Sequence, residues 1–410
     1  MNEDRPAAAM WQRPSRLHVG AGSAVQALAG GPAADTLLLT DRGLPGSVTG
    51  PLLAAARSAA GSRLRVLALE PETLALPEIE QLADTVRESA RVVAVGGGSV
   101  LDAAALARLL AGDPAAIRRI RHGGGRPGLV ALTGPAAPAG GLHRSPRAAP
   151  ELVAVPSTVG TAAEVSAAAT VRVDGGRKLV MAASLAADLA VLDPAVTATL
   201  PPALLREGVL EALCRLLNTY LPEPGRQVPR VGDAEARTLL RRLARAGRQA
   251  EQGRASAELR TELALLSAQT VLGWSMLGRD PFAGKVWYLS NELSSATGAR
   301  KMSATVAVLP AVWARVLDGD ARLGDAGRLR EAWRAVRSGL PDLPEQPVTG
   351  IAELARRWGV PPCPAAGQDP ARLAARAARG WGAGLPMLGA FRTAELTRLY
   401  ADVLEGAIAA

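Results

Sequence analysis

Arg91-Val92-Val93-Ala94-Val95-Gly96-Gly97-Gly98-Ser99-Val100-Leu101-Asp102 is the stretch that decides the fold. Val92 to Val95 reads as a buried strand, the glycines as a turn, and VLDAAALARLLAG (100–112) as a helix. Three glycines at a strand-to-helix turn let the backbone approach a pyrophosphate without Cβ clashes. The helix start then offers free amides and a positive dipole end to the anion. Ser99 and Asp102 are spaced as a capping box, S-x-x-D, which places the helix start at Ser99. Gly96, Gly97, Gly98, Ser99 and Asp102 are therefore candidate cofactor-binding residues.

Working outward, short apolar runs alternate with stretches of helical length: LHVG (17–20), TLLLTD (36–41), RLRVLALE (63–70), LVALTG (129–134) and ELVAVPS (151–157). Strand, helix, strand in repetition predicts a mainly parallel sheet covered by helices, an α/β dinucleotide-binding domain over 17–195. TVRVD and KLVMAA flank Gly175-Gly176 and predict a hairpin. After Asp193-Pro194 the strand rhythm stops. Residues 200–340 and 370–408 read as helices, so 196–410 is expected to be an all-helical domain, with breaks at PEPG (222–225) and between Pro341 and Pro347. Residues 1–16 read as a disordered arm, and the Gly/Pro/Arg-rich stretch 121–150 as a long loop.

Composition narrows the function classes. The chain has 410 residues, enough for two cores, and its aromatics amount to only 3%, so Ala, Leu and Val must build most of the interior. No uncharged apolar run is long enough for a membrane helix, and no signal-peptide core opens the chain, so a cytoplasmic protein is expected. Two cysteines, Cys214 and Cys363, make no disulfide framework. The net charge of +9 is mostly arginine spread along helices, read as solvated faces, and no nucleic-acid motif accompanies it. A homo-oligomer is expected.

A second segment, VPSTVGTAAE (155–164), places hydroxyls of Ser157, Thr158 and Thr161 around a glycine just after a strand. These suit phosphate, ribose or carboxamide, although turn chemistry alone explains such residues too. Asp41, ending TLLLTD, can accept from ribose hydroxyls and would repel a 2′-phosphate, which favours NAD over NADP; it can equally be a cap.

Taken together, LHVGAGS (17–23), GGGSVLD (96–102), VPSTVGTAAEVS (155–166), LAVLDPAVTATLPPALLREG (189–208) and VAVLP (306–310) resemble the iron-containing alcohol dehydrogenase and dehydroquinate synthase-like superfamily. The resemblance implies an N-terminal nucleotide-binding domain, a C-terminal helical domain and an active site between them. It implies that Gly97, Gly98 and Ser99 hold the pyrophosphate and Asp41 faces the adenosine ribose. Thr158 and Thr161 line the nicotinamide side, and Lys178 approaches the cofactor. One departure is Ala105, where the superfamily carries a lysine.

A larger departure concerns the metal. The dehydrogenases of this superfamily place an Asp and a His four residues apart on one helix, then two histidines fourteen apart, with a proton-relaying histidine four after the first of these. Here those positions hold Glu211, Arg215, Trp287, Lys301 and Asn291, and all three histidines (His18, His122, His143) lie in the first 150 residues. Trp and Arg do not ligate Fe²⁺ or Zn²⁺, and Lys is normally protonated. No catalytic metal is expected. Glu211, Arg215, Lys301 and Asn291 become the candidate catalytic residues, with buried cations polarising the substrate oxygen in the metal's place and Lys301 also available as acid or base. A salt-bridge network filling a dead site is the competing reading.

The function expected is NAD-dependent oxidation of a hydroxyl group without a catalytic metal. The wording of VPSTVGTAAEVS, LDPAVTATLPPALLREG and LEAL is similar to dehydrogenases of daptide-type ribosomal peptide biosynthesis. That similarity implies a peptide C-terminal threonine as substrate, loss of CO₂ from the resulting β-keto acid, and a partner aminotransferase; a small-molecule substrate stays open. Two alternatives stand beside it: a non-catalytic NAD-binding scaffold or activator, and a synthase of the dehydroquinate type.

Overall fold

The computed structural model describes residues 15–122, 128–132, 149–174, 176–222, 230–277, 279–280, 282–382 and 384–409. Residues 1–14 of the expected arm, most of the 121–150 loop with His143, Gly175 and most of PEPG lie outside the described residues. The strands are β1 (Arg16–Val19), β2 (Thr36–Asp41), β3 (Leu64–Leu69), β4 (Arg91–Gly96), β5 (Leu129–Ala131), β6 (Glu151–Pro156), β7 (Ala168–Val173), β8 (Gly176–Met181) and β9 (Leu189–Leu192). The helices of the first half are α1 (Ser23–Ala29), α2 (Gly46–Ala60), α3 (Leu76–Arg87), α4 (Gly98–Gly112) and α5 (Ala116–His122). Those of the second half are α6 (Pro202–Tyr220), α7 (Arg230–Glu251), α8 (Ala257–Leu272), α9 (Lys285–Thr297), α10 (Lys301–Leu317), α11 (Ala326–Gly339), α12 (Pro347–Arg357), α13 (Pro370–Trp381) and α14 (Thr393–Ala409).

Six strands form one parallel sheet in the order β1-β9-β6-β4-β2-β3. Alternation along its central strands sends Leu37, Leu39, Val92 and Ala94 to one face, against α3 and α4. Leu38, Val93 and Val95 go to the other, against α1 and α2. A sheet covered on both faces explains why these strands read as unbroken apolar runs.

The structure corrects the sequence reading at several points. Arg16 already belongs to β1, and Ser15 donates to the Ala187 carbonyl at 2.7 Å, so the last two residues of the expected arm are tied to the sheet region. LVALTG yields only Leu129–Ala131, and this strand joins the β7–β8 hairpin in a separate three-stranded sheet, order β5-β8-β7. β9, hidden inside LAVLD, is a strand that apolar patterning did not single out; it pairs with both β1 and β6. A helix also occupies 347–357, between the two helical stretches expected. Helix α4 starts at Gly98 with Gly97 as its cap, and no side chain caps it, so the S-x-x-D box is not formed. Asp102 Oδ2 instead accepts from the Thr170 amide and hydroxyl, both at 2.9 Å, tying α4 to the second sheet. Sandwiched between the two sheets, α4 is apolar nearly all round, as a helix without a wet face must be.

The second half holds one large core of Leu, Ala and Val with Trp313, Trp333 and Trp358 at its centre. Val159, from the loop after β6, packs into this core. That loop meets α6 where two glycines touch: a Cβ on Gly160 (φ +97°) would lie 2.0 Å from the Gly208 carbonyl oxygen, and one on Gly208 would lie 2.3 Å from the Val159 oxygen. Backbone against backbone leaves no room for a side chain. Gly208→Ala is therefore expected to cost roughly 1–3 kcal/mol in urea unfolding, whereas Gly406→Ala, whose Cβ meets nothing within 4 Å, should be neutral or stabilising. Equal stability of the two variants would refute this account of the contact.

Candidate active site between sheet and helices

Parallel register gathers the sequence motifs at one edge of the sheet. Thr40 pairs with Val95 and Gly96 with Pro156, so Asp41, the glycine turn and the 157–162 loop emerge side by side, at the carboxyl ends of adjacent strands. The Ser157 amide donates to the Gly96 carbonyl at 2.9 Å and fixes the two loops together. A Cβ on Gly97 would stand 3.4 Å from the Thr158 methyl, and one on Gly98 would stand 3.1 Å from that of Thr161. Thr158 Oγ1 is buried and, among the described residues, has no hydrogen-bond partner. The amides of Gly98 and Ser99 precede the first intrahelical bonds of α4, which run from Val100 and Leu101 back to Gly97. A side-chain-free cradle, unspent amides and an orphaned hydroxyl fit the pyrophosphate and adjoining ribose of a nicotinamide dinucleotide.

Two predicted cofactor residues carry local contacts of their own. Asp41 Oδ1 accepts the Gly43 amide at 2.8 Å. Lys178 is buried, and its ammonium donates to the Ile120 and Arg121 carbonyls at 2.9 and 2.6 Å, satisfying the end of α5.

Helices α6, α9 and α10 bring the other group together. Lys301 Nζ donates to Glu211 Oε1 at 2.7 Å and lies 4.5 Å from the centre of the Trp287 ring. Arg215 Nη2 is 3.5 Å from the same Glu211 oxygen. The positions that the superfamily resemblance assigns to metal ligands thus converge, as an ion-pair cluster. These residues do not fit a transition-metal centre: one carboxylate already shared by two cations, an indole and a guanidinium offer no such donor set. Among the described residues no group of three or more His, Cys, Asp or Glu could hold a metal ion. His18 sits on β1 and His122 ends α5; neither joins this cluster.

Within the cluster the two cations differ. Arg215 is nearly enclosed and its donors are engaged: Nη2 to the Gly160 and Thr161 carbonyls at 2.7 and 2.8 Å, Nη1 to Thr270 Oγ1 at 2.8 Å. It clamps the 157–162 loop, in which Ala162 holds a left-handed φ of +53°. Lys301, pictured from sequence as buried, has a side chain 50% exposed. It stands in the first turn of α10, where a cation opposes the helix dipole and Glu211 offsets that cost. Burial would raise the Glu211 carboxyl, but the Lys301 and Arg215 charges outweigh it and hold its pKa below the usual value. Asn291 Nδ2 donates to Glu292 Oε1 at 3.2 Å, a carboxyl that also accepts from Trp381 and Arg376. Cys214 is buried core beside Glu211.

Comparison with known proteins agrees with this fold. Residues 14–194 match the family described as iron-containing alcohol dehydrogenase. The chain is 36% identical over 180 residues to a probable alcohol dehydrogenase of Salmonella typhimurium, covering 42% of this chain and 40% of that protein. It is 32% identical over 188 residues to a 4-hydroxybutyrate dehydrogenase of Cupriavidus necator, covering 45% of each. The matched stretch thus spans less than half the length of these curated relatives. Over nearly its whole length the fold is that of solved structures. One is NADH-dependent butanol dehydrogenase A of Thermotoga maritima (TM-score 0.74, 16% identity, 98% of this chain and 99% of that one). Another is an iron-containing alcohol dehydrogenase of Thermococcus thioreducens (TM-score 0.72, 20% identity, 97% and 100%). Residues 14–194 are thus similar to the iron-containing alcohol dehydrogenase family, and the chain as a whole takes the fold of these solved structures. No described helix is long and apolar enough to cross a membrane.

Two carboxyls that the sequence reading did not connect to the cluster share its electrostatics. Asp102 is pushed up to about 6, by burial first, with the Thr170 bonds and the Lys301 charge pulling down and Glu211 adding to the rise. Glu164, in the clamped loop, is pushed up to about 7 by burial, opposed by its own backbone amide and by Arg215. A carboxyl whose folded pKa exceeds its unfolded value holds its proton more tightly when folded. The stability it contributes is full below about pH 4.5 and is lost as pH rises through 7. Glu164→Gln should therefore nearly match the parent at pH 4.5 and exceed it at pH 8 by ~2–3 kcal/mol in urea unfolding. A variant less stable than the parent at pH 8 would contradict this.

Proposed function

We propose that the protein is a nicotinamide-dinucleotide-dependent oxidoreductase that oxidises a hydroxyl group with Lys301, rather than a metal ion, facing the substrate oxygen. The observation that carries this reading is the position of the Lys301 ammonium. It is fixed by Glu211 and the Trp287 ring where the superfamily resemblance places the metal, yet half open to an incoming group. NAD bound at the cradle would supply the hydride acceptor. Gly97, Gly98, Ser99, Thr158 and Thr161 would hold it, with Asp41 on the adenosine side. Lys301 donates a hydrogen bond to the substrate oxygen and stabilises the negative charge that develops as its proton leaves. Glu211 keeps the ammonium aimed. Arg215 acts through the loop it clamps, as a positioning residue.

A finer reading takes the substrate as the C-terminal threonine of a ribosomal peptide. Its β-hydroxyl carbon loses a hydride to the dinucleotide and its hydroxyl loses a proton to solvent water. The β-keto carboxylate so formed then loses CO₂, and the ketone passes to an aminotransferase. Supporting it are the daptide-type wording of the second motif and a cation at the site; a peptide ending in Thr, incubated with NAD, should lose two hydrogens and CO₂ by mass spectrometry. The scaffold reading is favoured by one observation, the ion pairing of Lys301 and Arg215 with Glu211.

Turnover separates the two readings. Lys301→Ala should lower kcat by about 100-fold or more while the NADH dissociation constant stays within about threefold. Gly98→Val, which drives a side chain at Thr161, should weaken NADH binding by at least about tenfold. Tight stoichiometric uptake of Fe²⁺ or Zn²⁺ with a gain in rate would overturn the metal-free proposal. Because Asp102, raised to about 6 by burial, adds a negative charge to the field of Lys301 as it ionises, and that charge opposes the developing oxyanion, alcohol oxidation should carry a falling limb through that pH. Asp102→Asn should flatten that limb; an unchanged profile would remove Asp102 from the site.

A further inference from the structure

The start of α3, the β7–β8 hairpin and the end of α9 enclose a cleft of about 720 Å³. Arg172 and Arg177 line it from directly opposed positions on the hairpin. Like charges facing each other across two strands are destabilising, so the arrangement asks for something to offset it. Arg172 is partly relieved: its Nε donates to the Leu74 carbonyl at 3.2 Å and its Nη2 to the Glu72 carbonyl. Arg177 is not. Its hydrogen bond is from Nη1 to Ser294 Oγ at 3.3 Å, and among the described residues no carboxylate pairs with it. Burial first, and then the Arg172 charge, lower its pKa. Ser295, lining the same cleft, has a buried Oγ without a hydrogen-bond partner among the described residues. The cleft also has acidic neighbours, but Glu72, Glu78 and Asp174 are exposed, at its rim, and Glu78 caps the Ala75 amide. The partly buried side of the cleft is therefore cationic and holds, among the described residues, one hydroxyl without a partner.

This cleft adjoins the candidate active site by two routes. Thr170, which holds Asp102, lies two residues before Arg172 on the same face of β7, roughly 7 Å along the strand. Ser294 Oγ, the partner of Arg177, donates to the Ala299 carbonyl at 2.7 Å, two residues before Lys301.

We propose that the Arg177 cleft binds a carboxylate borne by the substrate, so that the enzyme selects hydroxy acids over neutral alcohols. The proposal rests on the reading that the reacting hydroxyl lies at Lys301. The same oxyanion chemistry could be met by a 2′-phosphate on the cofactor, and the test separates the two sources. On the full-length protein with NAD, KM is measured for a series of ω-hydroxycarboxylates and for the n-alkanols of equal length, in the parent, Arg177→Gln and Ser295→Ala. Arg177→Gln should raise KM for the hydroxy acids about 10- to 100-fold, the loss expected for one charge-assisted contact, and leave the alkanols unchanged. Ser295→Ala should act in the same direction by about three- to tenfold, and it carries the test should Arg177→Gln fail to fold. Equal effects on both substrate series, or none, overturn the proposal. So does a loss confined to NADPH binding, titrated in the parent and Arg177→Gln, which would assign the cleft to a cofactor phosphate. Should no alcohol turn over, calorimetric titration of the same hydroxycarboxylates into the protein with NAD decides the matter independently. Arg177-dependent binding would uphold the cleft while the oxidoreductase reading fails, and absence of binding would sink the cleft itself.

Discussion

Backbone contact between Gly160 and Gly208 is the constraint on which the site depends. It brings the loop that follows β6 against α6 at a separation no side chain permits. One consequence is continuity of packing, since Val159 enters the helical core while the strand before it belongs to the sheet. Another is reach. Arg215 lies two turns along α6 from Gly208, where its guanidinium meets the Gly160 and Thr161 carbonyls. Ser267 and Thr270 on α8 close the arrangement, one accepting the Gly160 amide at 3.1 Å and the other the Arg215 guanidinium. The dinucleotide cradle and the cation cluster are thus two ends of one clamped loop.

Charge in this region is arranged as competition between burial and attraction. Glu211 stays ionised because two cations outweigh the cost of its burial. Asp102 and Glu164, with weaker compensation, are raised instead. Three carboxyls within one field therefore take different protonation behaviour, and a protein with few histidines still keeps groups that titrate near neutrality.

The sequence made the parallel sheet legible because its central strands are buried on both faces and carry apolar runs between glycine-rich turns. β9 escaped notice because LAVL is short and sits within a stretch that reads as connection. The capping box did not form because α4 starts one residue earlier, with Gly97 as its cap, and Asp102 is engaged by Thr170, a residue 68 positions away. The superfamily resemblance, carried over by position, also implied that Glu211, Arg215, Trp287 and Lys301 would converge. It could not foretell which cation would be spent on backbone carbonyls and which would stay open, because that depends on where a loop from the other half of the chain comes to rest. Lys178 shows the same limit, its ammonium being taken by the end of α5. The Arg172 and Arg177 pairing was invisible for want of register: a hairpin was foreseen, its facing residues were not.

Trp287 adds a property of another kind. Its indole lies 4.5 Å from the Lys301 ammonium, and that ammonium is half exposed. Anything that draws the charge off the ring, or excludes water from above it, changes the electric field across the chromophore. The protein therefore carries, in one of its seven tryptophans, an optical reporter at the point where its chemistry is proposed to occur.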